Sequence, residues 1–458
     1  MAESAANFAN SVAALKHVCA TMSPVPPALA ESPLPDVLQL AQDCGFEGSE
    51  KKLEVWFEGG DLRAITRPQW DQILTVAKCE ILSTVVGVNN FCHAYLLSES
   101  SLFVMPNRIV IKTCGTTRLL RALSLLLQTA ASVGARAVRL SFSRCHFLFP
   151  QAQTWPHRNF TSERSFLDSL LSPVFAPGRA SVLGAIGGPR HHFYLADTRR
   201  FKRHLSSTME LVMFNLDPEV MRLFYRDASS LKCDRAAGNE VTECSKLCQV
   251  FPRPEIWSVD AFAFQPCGYS CNAVIRPDLV ADSNRQEVQQ DAYWTVHVTP
   301  EPTHSFVSFE TNLRGIDLGR LVAKVVGLFR PALFSVVRTS TTHGQTAVDG
   351  GTSVLDSLDG TYDCVDRVEH QLCAEHVSVA SEHFRLARAD AMSPSHALWA
   401  SKHVLSTHHK IACVTPCASD DEDCSDDTCS SRSSLFDEKY KLLIGRFKTV
   451  EGTIKGRI

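Results

Sequence analysis

Tyr293-Trp294-Thr295-Val296-His297-Val298-Thr299 alternates without a break. A β-strand turns successive side chains to opposite faces. Trp294, Val296 and Val298 therefore make one apolar face, and Tyr293, Thr295, His297 and Thr299 the other, so His297 stands on the more polar side. The pattern recurs in Ala137 to Phe147, where Val138, Leu140 and Phe142 share a face, and in Glu50 to Phe57, where Glu50, Lys52 and Glu54 do. Helical signals fall between such strands, at Arg67 to Lys78, Thr116 to Val133, Asp217 to Tyr225 and Gly315 to Phe329. The third opens with Asp217 as N-cap and Pro218 at the first helical position. Strands outnumber helices and come at hairpin spacing, which favours antiparallel sheet over parallel crossovers and makes the class α+β.

Composition narrows the function. The chain has 458 residues, 45% of them apolar, and a net charge of −3 from 46 basic and 49 acidic residues. It lacks the positive excess that advertises a nucleic-acid surface. Seventeen cysteines are odd in number and scattered, with no secretory leader before them, so a reduced cytoplasmic protein is expected. The longest apolar run, Leu119 to Leu127, is interrupted by Arg121 and falls short of the ~20 residues a membrane helix needs. No membrane partner is expected.

Three regions follow. Residues 1–44 are rich in Ala, Ser and Pro and are expected to form a flexible extension; Glu3, Glu31, Asp36 and the absence of Arg before Arg63 weigh against a transit peptide. Residues 45–387 carry the folded domain. Residues 388–458 pass through the acidic run around Asp420 to Asp427 and are expected to be a low-complexity, disordered tail. Cys413, Cys417, Cys424 and Cys429 could be read as four thiolates around zinc, but their spacing is irregular and their surroundings acidic, so a flexible tail is expected. Ser425, before two aspartates, suits a phosphate acceptor less well than an unstructured spacer.

Signatures for phosphate loops, dinucleotide folds, zinc proteases and serine hydrolases are missing. The chemistry must come from Tyr95-Leu96-Leu97-Ser98-Glu99-Ser100-Ser101-Leu102-Phe103 and Lys112-Thr113-Cys114-Gly115-Thr116-Thr117. Taken together these resemble the processing site of eukaryotic S-adenosylmethionine decarboxylase proenzymes. Four other segments agree with that family in the same order: Phe46 to Lys51, Pro156 to Phe160, Pro266 to Ser270, and Tyr293 to Glu301. Singly, each residue has a plainer account, as a turn serine, a buried cysteine or a strand histidine with a satisfied ring. Five collinear matches outweigh it. The resemblance spans about Gly45 to Phe384.

The resemblance implies a four-layer α/β/β/α sandwich with two facing antiparallel sheets. It implies self-cleavage between Glu99 and Ser100 into a small β chain and a large α chain that stay together. A serine hydroxyl can attack the preceding carbonyl and exchange amide for ester where that bond is strained and its oxyanion stabilised. Ser270 and His297 resemble the family's processing residues, and Ser100 would become a covalent pyruvoyl cofactor. That carbonyl would form a Schiff base with S-adenosylmethionine and act as electron sink. Cys114 resembles the acid that reprotonates the product, and Glu47 and Glu50 match the family's active-site acids. Phe46 and Phe264 resemble the adenine sandwich, Glu301 the ribose ligand, and Leu97 and Glu99 the substrate contacts beside the cleavage site. No metal is implied. The product would be the aminopropyl donor for spermidine and spermine synthesis.

Departures matter as well. Glu54, Glu210 and Glu310 correspond to the acidic cluster that binds the activator putrescine in stimulated members, but the key aspartate position aligns with Ser206. Lys52 stands where those members carry leucine. Activity without putrescine is therefore expected, a fixed ammonium replacing the diamine's charge. The alternatives are an inactive regulatory paralogue and a self-cleaving hydrolase that keeps Ser100 as serine. The oligomeric state, monomer or homodimer, stays open.

Overall fold

The computed structural model describes residues 45–386 apart from 173, 185–188, 199–205, 228–231, 252–253, 277–288, 342–357, 359–360 and 374–376. The expected extension, the expected tail, Cys413, Cys417, Cys424, Cys429 and Ser425 lie outside the described residues.

Two eight-stranded antiparallel sheets make up the centre. The first holds β1 (Lys51–Glu58), β2 (Ile81–Val86), β3 (His93–Leu97), β4 (Ser100–Met105), β5 (Arg108–Thr113), β6 (Arg136–Cys145), β7 (Arg179–Leu183) and β8 (His191–Asp197), in the order β2-β3-β4-β5-β1-β6-β8-β7. The second holds β9 (Ser206–Leu216), β10 (Trp257–Ala263), β11 (Tyr269–Ile275), β12 (Tyr293–Thr299), β13 (Phe306–Thr311), β14 (Pro331–Thr341), β15 (Tyr362–Cys373) and β16 (Val377–Leu386), in the order β10-β11-β12-β13-β9-β14-β16-β15. Each strand of the first sheet has its counterpart eight strands later. The two halves share one topology and face each other.

Helices cover both outer faces. α1 (Arg67–Ala77), α2 (Leu123–Ser132) and α3 (Phe160–Leu171) pack on the first sheet through Trp70, Ile73, Leu126 and Leu167 against Leu53, Val55, Ile111 and Leu140. α4 (Pro218–Met221), α5 (Asp234–Cys244) and α6 (Leu318–Phe329) pack on the second, where Leu321, Val325 and Phe329 join Leu211, Val296 and Phe309 in one core. The α+β class and the four-layer sandwich are as expected.

The expected helices are present but shorter. α1 begins where the Thr66 backbone N–H donates to the Gln69 side chain at 2.9 Å and stops at Lys78, which has φ +61°. α6 begins three residues later than Gly315 because the Asp317 carboxylate caps it, accepting from the Arg320 N–H at 3.1 Å. Residues 116–133 form a 3-10 turn before α2, and 217–225 form α4 followed by another such turn.

Alternation along the strands usually separates a core face from a wet one. Here both faces are buried. Trp294, Val296 and Val298 face the helices, whereas Thr295 and His297, 0% and 6% exposed, face the other sheet. The space between the sheets is consequently polar at its centre, with small apolar patches such as Phe103 stacked on Tyr293.

Candidate active site

The hairpin between β3 and β4 is tight: Leu97 pairs with Ser100, leaving Ser98 and Glu99 as the turn. Ser100 holds φ +112°, a conformation L-residues rarely adopt, which costs about 1–3 kcal/mol and persists only where surrounding structure enforces it. Its hydroxyl is buried and donates to Glu50 Oε1. The carbonyl before it, Glu99 O, accepts the Cys114 backbone N–H at 3.2 Å. The bond between Glu99 and Ser100 thus combines a strained residue, a nucleophile with a carboxylate acceptor, and a carbonyl already polarised by an N–H.

β11 and β12 bring the second group. His297 Nδ1 lies 2.9 Å from Ser270 Oγ, and Nε2 lies 2.9 Å from both Ser101 Oγ and Thr295 Oγ1. Each of those two hydroxyls has another acceptor for its single proton, Asn272 Oδ1 at 2.6 Å for Ser101 and Cys271 O at 2.9 Å for Thr295. Both therefore offer lone pairs to Nε2, which carries the ring proton. Nδ1 is left bare, accepting from Ser270. Burial pushes the His297 imidazole down to about 4, against the opposing pull of Glu50. It is a neutral base aimed at Ser270.

Charges cluster beside this network. Lys112 Nζ lies 3.1 Å from Glu50 Oε2, 3.0 Å from Glu210 Oε1 and 3.0 Å from Glu310 Oε2, and Lys52 Nζ lies 2.7 Å from Glu310 Oε1. Burial alone would lower the Lys112 ammonium, but the Glu210, Glu310 and Glu50 carboxylates hold it well above its ordinary value. Burial would likewise raise Glu50, and Lys112 first, then His297 and Ser100, hold it low. The common topology explains the arrangement. Lys52 pairs with Lys112 across β1 and β5, and Glu210 pairs with Glu310 at the corresponding place across β9 and β13. The two halves thus present opposite charges at equivalent positions, and the bridges Lys52 to Glu310 and Lys112 to Glu210 are related by the same approximate twofold.

Cys114 is partly buried. Its thiol lies 3.7 Å from Glu99 Oε2, and burial, then Glu99 and Glu50, push it well above the ordinary thiol value, so it keeps its proton. At the rim, Glu301 Oε2 accepts the Phe46 backbone N–H at 2.8 Å and also contacts His304 Nε2. These contacts, His304 first, hold the Glu301 carboxylate below its usual range. Phe46 is 39% exposed, and Phe264 is partly exposed in the loop between β10 and β11.

A model of the adenosylmethionine decarboxylase family matches residues 43–384. The chain belongs to that family. Among similar decarboxylases, proenzyme 2 of Arabidopsis thaliana is 36% identical over 74% of this chain and 90% of its own length. The Xenopus laevis proenzyme is 38% identical over 63% of this chain and 81% of its own. The AdoMetDC-delta26 monomer of Trypanosoma brucei has a TM-score of 0.47 at 22% identity, covering 63% of this chain and 99% of its own. As a member of the adenosylmethionine decarboxylase family, the chain is an enzyme.

For this decarboxylase, Ser100, Glu50, His297 and Ser270 meet between the sheets, Cys114 and Glu99 adjoin them, and Glu301 and Phe46 meet at the rim. The Glu47 carboxylate acts as a clamp, accepting the Ser49 N–H at 3.0 Å and the Phe149 N–H at 2.8 Å. The Leu97 side chain lies in the core beneath the helices, so only its backbone is available beside the cleavage site. Sequence reasoning assigned no role to Ser101, Asn272 or Thr295. The signal was present, since Thr295 and Asn272 stand two residues from His297 and Ser270 on the same strand faces. His304 carried no such signal.

Proposed function

We propose that the chain is a self-processing decarboxylase of S-adenosylmethionine. It cuts its backbone between Glu99 and Ser100, giving a β chain of residues 1–99 and an α chain of residues 100–458 that begins with a pyruvoyl group. The observation that carries this reading is the φ of +112° at Ser100, with its hydroxyl on Glu50 and the Glu99 carbonyl on the Cys114 N–H. Because β1 sits between β5 and β6, the small chain remains part of the core after the cut.

The contacts support a processing sequence. Ser100 Oγ adds to the Glu99 carbonyl carbon as Glu50 accepts its proton; the C–N bond breaks, and the nitrogen takes up the proton. The ester so formed is lost by elimination. Ser270 Oγ takes the α-proton of residue 100 while its own hydroxyl proton passes to His297 Nδ1, and the new α-carboxylate of Glu99 leaves. The dehydroalanine left behind takes a proton at its β-carbon to become an imine, from which water displaces ammonia. Buried Ser100 with a carboxylate acceptor, Ser270 with a neutral base and a polarised carbonyl fit the making of this group.

Once formed, the pyruvoyl carbonyl supplies an electron sink for the carbon that loses carbon dioxide. The chain's own residues do the rest. Glu301, held ionised, accepts the ribose hydroxyls; Phe46 and Phe264 offer rings to adenine; Cys114, held protonated, delivers a proton to the product carbon. The product serves as aminopropyl donor for spermidine and spermine, and the enzyme works in the cytoplasm. Residues 45–387 form its catalytic unit, with 1–44 and 388–458 as appendages.

Activity without putrescine is supported by Lys52. The cavity between Lys52, Glu54, Ser143, His191, Thr208 and Glu210 measures about 10 Å³, space for about one water beside the Lys52 ammonium. Release of carbon dioxide from carboxyl-labelled S-adenosylmethionine tests the function. The wild type is expected to release it and Ser100→Ala is not. No release from a wild type that has been cut would overturn the decarboxylase reading and favour a hydrolase; none from an uncut one would favour a regulatory paralogue.

A further inference from the structure

Lys51 stands at the start of β1 on the face opposite Lys52 and is 0% exposed. Its ammonium donates to the Gly115 carbonyl at 2.9 Å and to Gln153 Oε1 at 3.2 Å, and lies 5.2 Å from the centre of the Phe147 ring. All three partners are neutral. Among the described residues no carboxylate comes within 4.0 Å of it, whereas the other deeply buried cations have one: Glu54 for Arg108, Glu163 for Arg144, and three for Lys112. A buried ammonium with no carboxylate in contact is costly unless a nearby negative charge forms at some stage.

The carbonyl it holds belongs to the residue after Cys114. Gln153 Nε2 donates to the same oxygen at 3.2 Å, and the Gly115 N–H donates to Glu47 O at 2.8 Å, so the turn is fixed at both ends. Gly115 has φ +60°, and a Cβ there would lie 3.2 Å from the Phe46 ring and 3.3 Å from Glu99 Oε2. The turn therefore packs between the thiol, the rim and the cleavage hairpin. We propose that Lys51 is a positioning residue for Cys114, fixing the Cys114-Gly115 turn and supplying the unpaired positive charge that stabilises the thiolate left when Cys114 gives up its proton.

This rests on Cys114 as the acid of the reaction. The S–H bond breaks, the proton goes to the product carbon and sulfur keeps the electron pair. That pair would otherwise face the carboxylates of Glu99 and Glu50. The titratable groups around Lys51 are Cys114, Glu47, Glu99, Glu163, Cys79 and His157. Burial, only partly offset by Cys114 and Glu47, pulls its own ammonium down to about 8. The charge is thus present at neutral pH and lost in mild alkali.

Alkylation of Cys114 by iodoacetamide, followed by peptide mass spectrometry between about pH 6 and 10, reads the thiolate directly. In Lys51→Met the alkylation rate below about pH 8, where the wild-type ammonium is charged, is expected to fall about tenfold, with kcat falling about tenfold and KM within about twofold. Lys51→Arg is expected to restore both. Lys51→Gln keeps a donor to Gly115 without the charge and is expected to follow Lys51→Met, so the test survives a misfolded methionine variant. An unchanged alkylation profile in the neutral variants would overturn the proposal, even if kcat fell. The alkylation needs no decarboxylation, so an inactive wild type would count against the function while the profile still judged Lys51.

Discussion

Lys52 Nζ reaches from one sheet to within 2.7 Å of Glu310 Oε1 on the other, with the two side chains 10% and 0% exposed. It matches, through the approximate twofold, the bridge of Lys112 to Glu210 at 3.0 Å. A positive charge is built in where the two halves meet beside Glu50. The rate of the wild type is therefore expected to stay constant when putrescine is added. Lys52→Leu is expected to lose about 3 kcal/mol of stability, the low end for breaking a buried pair, because Lys112 remains beside Glu310. Its rate is expected to fall severalfold and to recover in part with putrescine. Severalfold stimulation of the wild type would contradict the account.

Thr295 matters through the tautomer of His297. Its hydroxyl donates to Cys271 O and leaves a lone pair for Nε2, which keeps Nδ1 free to accept from Ser270. Thr295→Val preserves shape and removes that lone pair. Self-cleavage is expected to slow by about tenfold, within the range for a mispositioned general base. Ser101 offers a second lone pair, so Thr295→Val with Ser101→Ala is expected to be slower again. A cleavage rate equal to wild type in the double variant would show that the ring is oriented otherwise.

Acid should weaken the fold before it titrates carboxylates. His146, His157, His191 and His297 are each pushed down to about 4 by burial, whereas an unfolded histidine titrates near ~6.5. Between those values the unfolded chain binds more protons, so stability is complete above ~6.5 and is lost as pH falls toward 4. Glu50, held low by Lys112, adds to the loss below the ordinary carboxylate value of 4.5. Thermal melts are expected to give a lower Tm at about pH 5 than at about pH 7, and the opposite order would refute the burial argument. Self-cleavage, by contrast, should run equally at about pH 6 and 8, because His297 stays neutral over that range.

Much of the sandwich was legible because period-two alternation survives in the residues themselves. Trp294, Val296 and Val298 mark the helix-facing side without help from tertiary context. The facing of two polar surfaces was less legible, since Thr295 and His297 look on paper like a solvent face and are buried only because a second sheet covers them. The internal duplication was hidden for a related reason. At equivalent positions Lys52 answers Glu210 and Lys112 answers Glu310, so the halves are complementary in charge and unlike in sequence. The processing run was legible as a motif, but the strained φ at Ser100 and the N–H of Cys114 on Glu99 O belong to the backbone and leave no mark on residue type. His304, whose ring meets Glu301, depends on a turn whose geometry the residues do not disclose.

The strained bond at Ser100 is the centre of the account, and the intact mass of the purified protein, wild type beside Ser100→Ala, tests it most directly. The wild type is expected to give two fragments, the larger starting at residue 100 with the mass of a pyruvoyl in place of serine, and Ser100→Ala a single chain. A wild type that stays whole, or a large fragment that begins with unmodified serine, would contradict it.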